Sequence, residues 1–207
     1  MEHGRAYRRL IDQISAAGTK EAGSYPLCTI DEIYDWERDE IEGLILNTFH
    51  KTDDLSLAEI LPKLKKYDGI DALRKTLPEC NIPSEHSLTI AVILYECTSD
   101  KKYLDIVKAN TEKAKDNLIC VGILSDRKPN EEFYRILTDI YASSDNVTIR
   151  STAITGILYN KGFISDPLNS QEKMRIIEFS RMFMKDSKEE RRDMINRLEA
   201  GEFEKFK

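Results

Sequence analysis

The stretch Asp31-Glu32-Ile33-Tyr34-Asp35-Trp36-Glu37-Arg38-Asp39-Glu40-Ile41-Glu42 holds seven acids in twelve residues and the only tryptophan of the chain. Carboxylates at that density could do two kinds of work. They could draw in a basic partner, or one of them, held in an apolar setting, could act as a general acid or base. Read as a helix, the stretch gathers Glu32, Asp35, Trp36 and Asp39 on the side away from Ile33, Ile41 and Leu44. A Trp ringed by carboxylates resembles a protein-binding hot spot, because Trp carries much interface energy and the acids select a basic partner. A plainer reading stands beside it. Acids near a helix N-terminus favour the macrodipole, and Trp36 can pack under a preceding helix. Glu37 lies near the apolar face with Arg38 next to it. It is either a buried acid or base, or a snorkelling, ion-paired side chain, and no catalytic base to pair with it is identifiable.

Other reactive residues point away from catalysis. His3, His50 and His86 are scattered, with no His-x-x-x-His or His-Glu partner, so no metal site is expected. Ser84, Ser87, Ser143 and Ser144 fall at predicted helix starts, where capping is their role, and none sits in a Gly-x-Ser-x-Gly elbow. Cys28, Cys80, Cys97 and Cys120 are separated by 52, 17 and 23 positions, too far for a metal knuckle. Cys97 and Cys120 lie in apolar runs as small hydrophobes, and Cys28 and Cys80 in predicted loops. Reduced thiols in a reducing compartment are expected. No phosphate-binding glycine loop or EF-hand loop is present, and no cofactor is expected.

Charge narrows the partner. The net charge of −6 is uneven: Lys20 to Ile60 carries three bases and eleven acids, whereas Leu61 to Asn169 is balanced at 15 and 15. Nucleic-acid binding needs the opposite sign, so no nucleic acid is expected, and an acidic face instead speeds the approach of a basic protein. Met1 to Leu10 carries three Arg and no long apolar stretch, unlike a secretory signal. The longest near-continuous apolar run, Leu88 to Tyr95, is far short of the ~20 residues of a membrane span. A soluble, cytoplasmic protein is expected.

The elements that must position these residues read as helices. His3 to Ala17 is a first helix, with Ala6, Leu10, Ile14 and Ala17 at helical spacing. Thr29 and Glu32 form a Thr-x-x-Glu capping box for a helix running to His50, and Ser56 with Glu59 repeats the box before Leu57 to Leu64. Ile70 to Leu77 follows a turn at Asp68-Gly69. Further helices are expected at 85–97 behind Ser84, 101–109, 112–124, 131–141, 147–161 and 171–184. A last one, capped by Ser187 and Glu190, ends at Gly201, and Phe203 and Phe206 beyond it either pack back or are free to bind.

Three blocks within this series echo one another: Val92-Ile93-Leu94-Tyr95-Glu96, Gly122-Ile123-Leu124-Ser125-Asp126 and Gly156-Ile157-Leu158-Tyr159-Asn160. Ile93 to Ile123 is 30 residues, and Ile123 to Ile157 is 34. Each is followed by an amphipathic stretch, at 103–107, 133–137 and 174–177. Their β-branched content would also suit strands. Helix formers at 112–115 running into the second block, and the lack of Gly-rich turns after any of the three, favour helices.

A buried helix and an amphipathic return helix, repeated, resemble the HEAT-like family of αα-solenoids over about Ser56 to Met184. Asn146-Val147-Thr148-Ile149-Arg150 comes near the Asp-Val-Arg-type positions of such units; the other units depart from them. Small acidic HEAT-like proteins look like bacterial immunity proteins, which block a toxic nuclease or similar enzyme. The resemblance implies an all-α αα-superhelix of about five helical pairs in one domain. In that domain, 1–55 would be acidic N-terminal helices, 56–184 the repeat units, and 185–207 a capping helix and tail. It also implies a non-enzymatic protein-interaction module, such as an immunity protein inhibiting a basic toxin, with Glu32, Asp35, Trp36 and Asp39 as the binding residues. A scaffold or adaptor, or a HEAT-like DNA-processing enzyme, is the alternative. A small-molecule-binding bundle is disfavoured because no polar cluster converges in the apolar runs.

Overall fold

The computed structural model describes residues 2–17, 30–113 and 117–207. Among the described residues it is all-helical, with no strand and with no helix long and apolar enough to cross a membrane. The chain divides into two compact units, Met1–Val107 and Lys108–Lys207. The boundary falls inside a helix, where neither glycine nor proline announces it.

In the first unit, α1 (Arg5–Ala16) packs on α2 (Arg38–Thr52). A short α3 (Leu55–Ala58) and α4 (Gly69–Thr76) pack on α5 (Glu85–Thr98). Every residue of α5 from Ser87 to Leu94 is buried, as expected of a helix apolar on all sides. Its Ser84 cap accepts the Ser87 N–H, and Ser99 closes it in the left-handed conformation. The core stripe of α2 is Ile41, Ile45 and Phe49, whereas Leu44 is exposed.

Several local expectations change here. The helix expected from 29 to 50 begins only at Arg38; Ile30–Glu32 is a separate 3-10 turn, and Thr29 lies outside the described residues. The cap before Leu57 is Asp54, whose carboxylate accepts the Ser56 N–H, and α3 lasts four residues before Pro62 enters another 3-10 turn. Cys97 is exposed rather than packed in the apolar run, near the end of α5.

α6 (Lys101–Lys113) begins in the first unit and ends in the second. The second unit continues with α7 (Leu118–Ser125), α8 (Glu131–Ser143), α9 (Val147–Asn160), α10 (Ser170–Arg175), α11 (Ile177–Arg181) and α12 (Lys188–Glu199). Glu112 and Lys113 end α6 instead of starting α7, which is capped by Asn117. The helix expected over 171–184 is two short pieces, and Ser143 and Ser144 sit at the end of α8, not at a start. All three echoing blocks are helical, in α5, α7 and α9.

α9 packs against both α7 and α8. Gly156 permits this: a Cβ there would stand 2.7 Å from Ser125 Cα and 2.8 Å from Leu137 Cδ1. The Ser125 hydroxyl donates to Thr152 O at 3.0 Å across the same contact. Phe203 and Phe206 pack back: Phe206 stacks on Phe179 at 4.5 Å, and Phe203 touches Phe179 and Phe183.

Two buried arginines repeat one device. Arg150 lies four residues past the Asn146 cap of α9, and its Nη1 donates to Ser144 O and Asp145 O at 3.3 and 3.1 Å. Arg191 lies four residues past the Ser187 cap of α12 and donates from Nη1 to Asp186 O at 2.8 Å. Its Nε donates to Ala142 O at 3.2 Å, tying the start of α12 to the end of α8. Each guanidinium thus satisfies carbonyls of the connector that enters its helix.

Candidate protein-binding surface

Glu37 and Arg38 are the pivot of the acidic segment, and both are buried. Glu37 precedes α2 and folds back. Its Oε1 accepts the Gly4 N–H at 2.8 Å and lies 3.2 Å from His3 Nδ1, and its Oε2 accepts the Tyr34 N–H at 3.2 Å. One carboxylate therefore fastens the N-terminal segment to the turn before α2. Both oxygens are committed to structure, which favours the ion-paired reading of this residue.

Arg38 reaches the other way. Its Nη2 donates to Ile30 O at 3.1 Å, and its Nη1 to Glu42 Oε1 at 2.9 Å. Glu42 is fully buried and also accepts the Lys65 and Lys66 N–H groups at 2.8 and 2.7 Å. These bonds span eight, four, 23 and 24 residues, and they hold Ile30 and the segment after the second 3-10 turn against α2. Local capping rules cannot anticipate them.

With the chain turning at 33–37, Glu32, Asp35, Trp36 and Asp39 do not lie along one helix face. Glu32 is in the 3-10 turn, Asp35 and Trp36 are in the turn that follows, and Asp39 is in the first turn of α2. All four are exposed. Asp35 lies 3.6 Å from Arg38 Nε, and Asp31 lies 3.8 Å from Lys63 Nζ.

Trp36 is 44% exposed, and the unforeseen Tyr34 beside it is 57% exposed. Their rings are nearly parallel, with centroids 6.4 Å apart. Trp36 also touches His3 at 5.1 Å, and His3 stacks on Tyr7 of α1 at 3.9 Å. Burial and the neighbouring Glu40 and Glu37 carboxylates push the Tyr7 hydroxyl up. So Trp36 rests one edge on the N-terminal segment and leaves much of its surface open. His3 and Tyr7 come from the N-terminal segment and Tyr34 from the turn before α2, two stretches that no single periodicity could join.

The remaining histidines are apart from this patch. His50 is exposed in the last turn of α2, and His86 Nε2 lies 3.0 Å from Asp53 O. Among the described residues, no group of three His, Cys, Asp or Glu side chains is arranged to hold a metal ion. No protein family, no curated protein and no solved structure matches the chain.

Proposed function

We propose that the chain is a non-catalytic protein-binding module whose acidic, aromatic N-terminal surface docks a basic protein partner. The observation that carries this reading is Trp36 and Tyr34, two large exposed aromatics, beside exposed Glu32, Asp35 and Asp39. Both rings stand on a backbone pinned by buried Glu37 and Arg38. Aromatic anchors that are already ordered lose little freedom on binding, and a carboxylate rim favours a cationic face and speeds its approach. In its most specific form the partner is a basic toxin such as a nuclease, and the chain is its cytoplasmic immunity protein.

The HEAT-like stack belongs to the same proposal. Within the second unit it is supported by the α8–α9 packing and by Arg150 and Arg191, which stand 41 positions apart and make the same connector bonds. Binding modules are the usual work of such stacks.

The test is capture of a partner from the native source at low and at high salt, with Trp36→Ala and Asp39→Lys run beside the wild type. Asp39 makes no ion pair among the described residues, so its reversal leaves the Arg38 network intact. One basic partner, released by salt and lost with either variant, is the expected result. A partner retained equally by both variants would place the interface elsewhere.

A further inference from the structure

Tyr34 and Trp36 stand two residues apart before α2, and the turn sets their rings nearly parallel. The ring planes differ by 12° and the centroids are 6.4 Å apart, so a single cation can stand within about 6 Å of both at once. Both rings rest on the N-terminal segment. A Cβ at Gly4 would be 3.0 Å from Tyr34 Cε2, and Trp36 touches the His3 ring. Their remaining surfaces are open to solvent.

Lysines and arginines of this chain cover aromatic rings elsewhere. Lys102 lies over Tyr103 and Lys161 over Tyr134, and Phe163, Phe203 and Phe206 each carry a cation too. Among the described residues, none covers Tyr34 or Trp36. The charge around these two rings is negative: residues 2–8 and 31–40 hold seven acids and three bases. Arg38 is buried and bonded inward to Glu42 and Ile30 O. Arg8 donates to His3 O and lies 4.0 Å from Glu2, and Arg5 is exposed at the start of α1. Lys63, from a later segment, lies 3.8 Å from Asp31. Asp39 is in no ion pair among the described residues, and Asp35 is almost fully exposed beside Arg38. Two uncovered π faces are thus surrounded by an excess of carboxylates.

We propose, resting on the docking of a basic partner, that Tyr34 and Trp36 hold the guanidinium of one of its arginines, with Asp35 and Asp39 offsetting the charge. The carboxylates alone would attract a lysine equally well. The rings make the difference, because a guanidinium is planar and weakly hydrated and stacks on aromatic faces, whereas an ammonium is a strongly hydrated point charge.

Hexa-arginine and hexa-lysine, equal in length and charge, are titrated into the full chain at low salt with Trp36 emission as the readout. Hexa-arginine is expected to bind about fivefold more tightly, the scale of a cation–π contact at an exposed site. In Tyr34→Ala, an exposed position whose N–H still reaches Glu37, the preference should fall to about twofold or less. Tyr34→Phe, which keeps the ring, should preserve it. Equal affinity of the two peptides in the wild type would overturn the arginine clamp and leave the basic-partner reading standing, since charge alone would then account for binding. A preference that survives Tyr34→Ala would also overturn the clamp. Failure of both peptides to bind would overturn the clamp and the basic-partner reading together.

Discussion

The two units solve the same problem with a different balance of buried charges. Each must pin irregular connectors against helices without leaving buried backbone groups unpaired. The first unit does it chiefly with carboxylates: Glu37 and Glu42 accept N–H groups from Gly4, Tyr34, Lys65 and Lys66, and Arg38 adds a donation to Ile30 O. The second does it with guanidinium groups: Arg150 and Arg191 donate to carbonyls before α9 and α12. The overall balance runs in parallel, with 13 bases against 20 acids up to Val107 and 18 against 17 beyond it. Buried charge here follows the orphaned backbone group. Free N–H groups call for an acid and free carbonyls for a base. Exposed acids of the first unit do the same work at helix starts, where Asp68 accepts the Asp71 N–H and Asp100 the Lys102 N–H.

The largest expected effect breaks the carboxylate side. Glu42→Ala strips the partner from buried Arg38 and frees two N–H groups at once. It should cost about 3–5 kcal/mol, read by urea unfolding followed by circular dichroism. A loss below about 1 kcal/mol would mean that water replaces the carboxylate.

On the guanidinium side, Arg191→Met keeps the apolar stem and removes the donors to Ala142 O and Asp186 O. A loss of about 2 kcal/mol is expected, smaller because no buried counter-ion is stranded: Asp145 beside it is 85% exposed. Equal losses from the two variants would erase the asymmetry between units.

Tyr141 sharpens the picture with pH. Its buried hydroxyl donates to Phe183 O at 2.5 Å, and burial pushes it from 10.0 up to about 12. A raised folded value favours the neutral form. The stability it contributes is therefore complete below pH 10 and is lost as pH climbs toward about 12. Tyr141→Phe should cost about 1 kcal/mol at neutral pH and flatten the stability profile across that alkaline window. An unchanged profile would place the alkaline sensitivity elsewhere.

The smallest expected effect on stability is at the surface. Trp36→Ala and Asp39→Lys should shift unfolding by no more than about 0.5 kcal/mol while abolishing partner capture. Destabilisation well beyond that would make Trp36 a packing residue of the N-terminal segment.

Helical periodicity was readable along the chain, and so were the caps at Ser84, Asn130 and Ser187. The apolar blocks at 92–96, 122–126 and 156–160 lie in helices or at their ends, with Ile93, Leu94, Leu124, Ile157 and Leu158 buried, and the Ser187–Glu190 capping box is present as expected. The break before Arg38 was not readable, because its causes are bonds from Glu37 to Gly4 and from Arg38 to Ile30, and local propensity cannot weigh distant partners. The same holds for the candidate surface. Trp36 and its acids stood out by composition, but Tyr34, His3 and Tyr7 join them only through the fold.

Trp36, the single tryptophan, is itself a reporter of partner docking. Its emission is followed while the captured basic partner is titrated into wild-type protein and into Asp39→Lys at low salt. A saturable change in Trp36 emission is expected with wild type, and a weaker, less salt-dependent response with Asp39→Lys. Binding with Trp36 emission unchanged, or with the same affinity and salt dependence in both proteins, would contradict it.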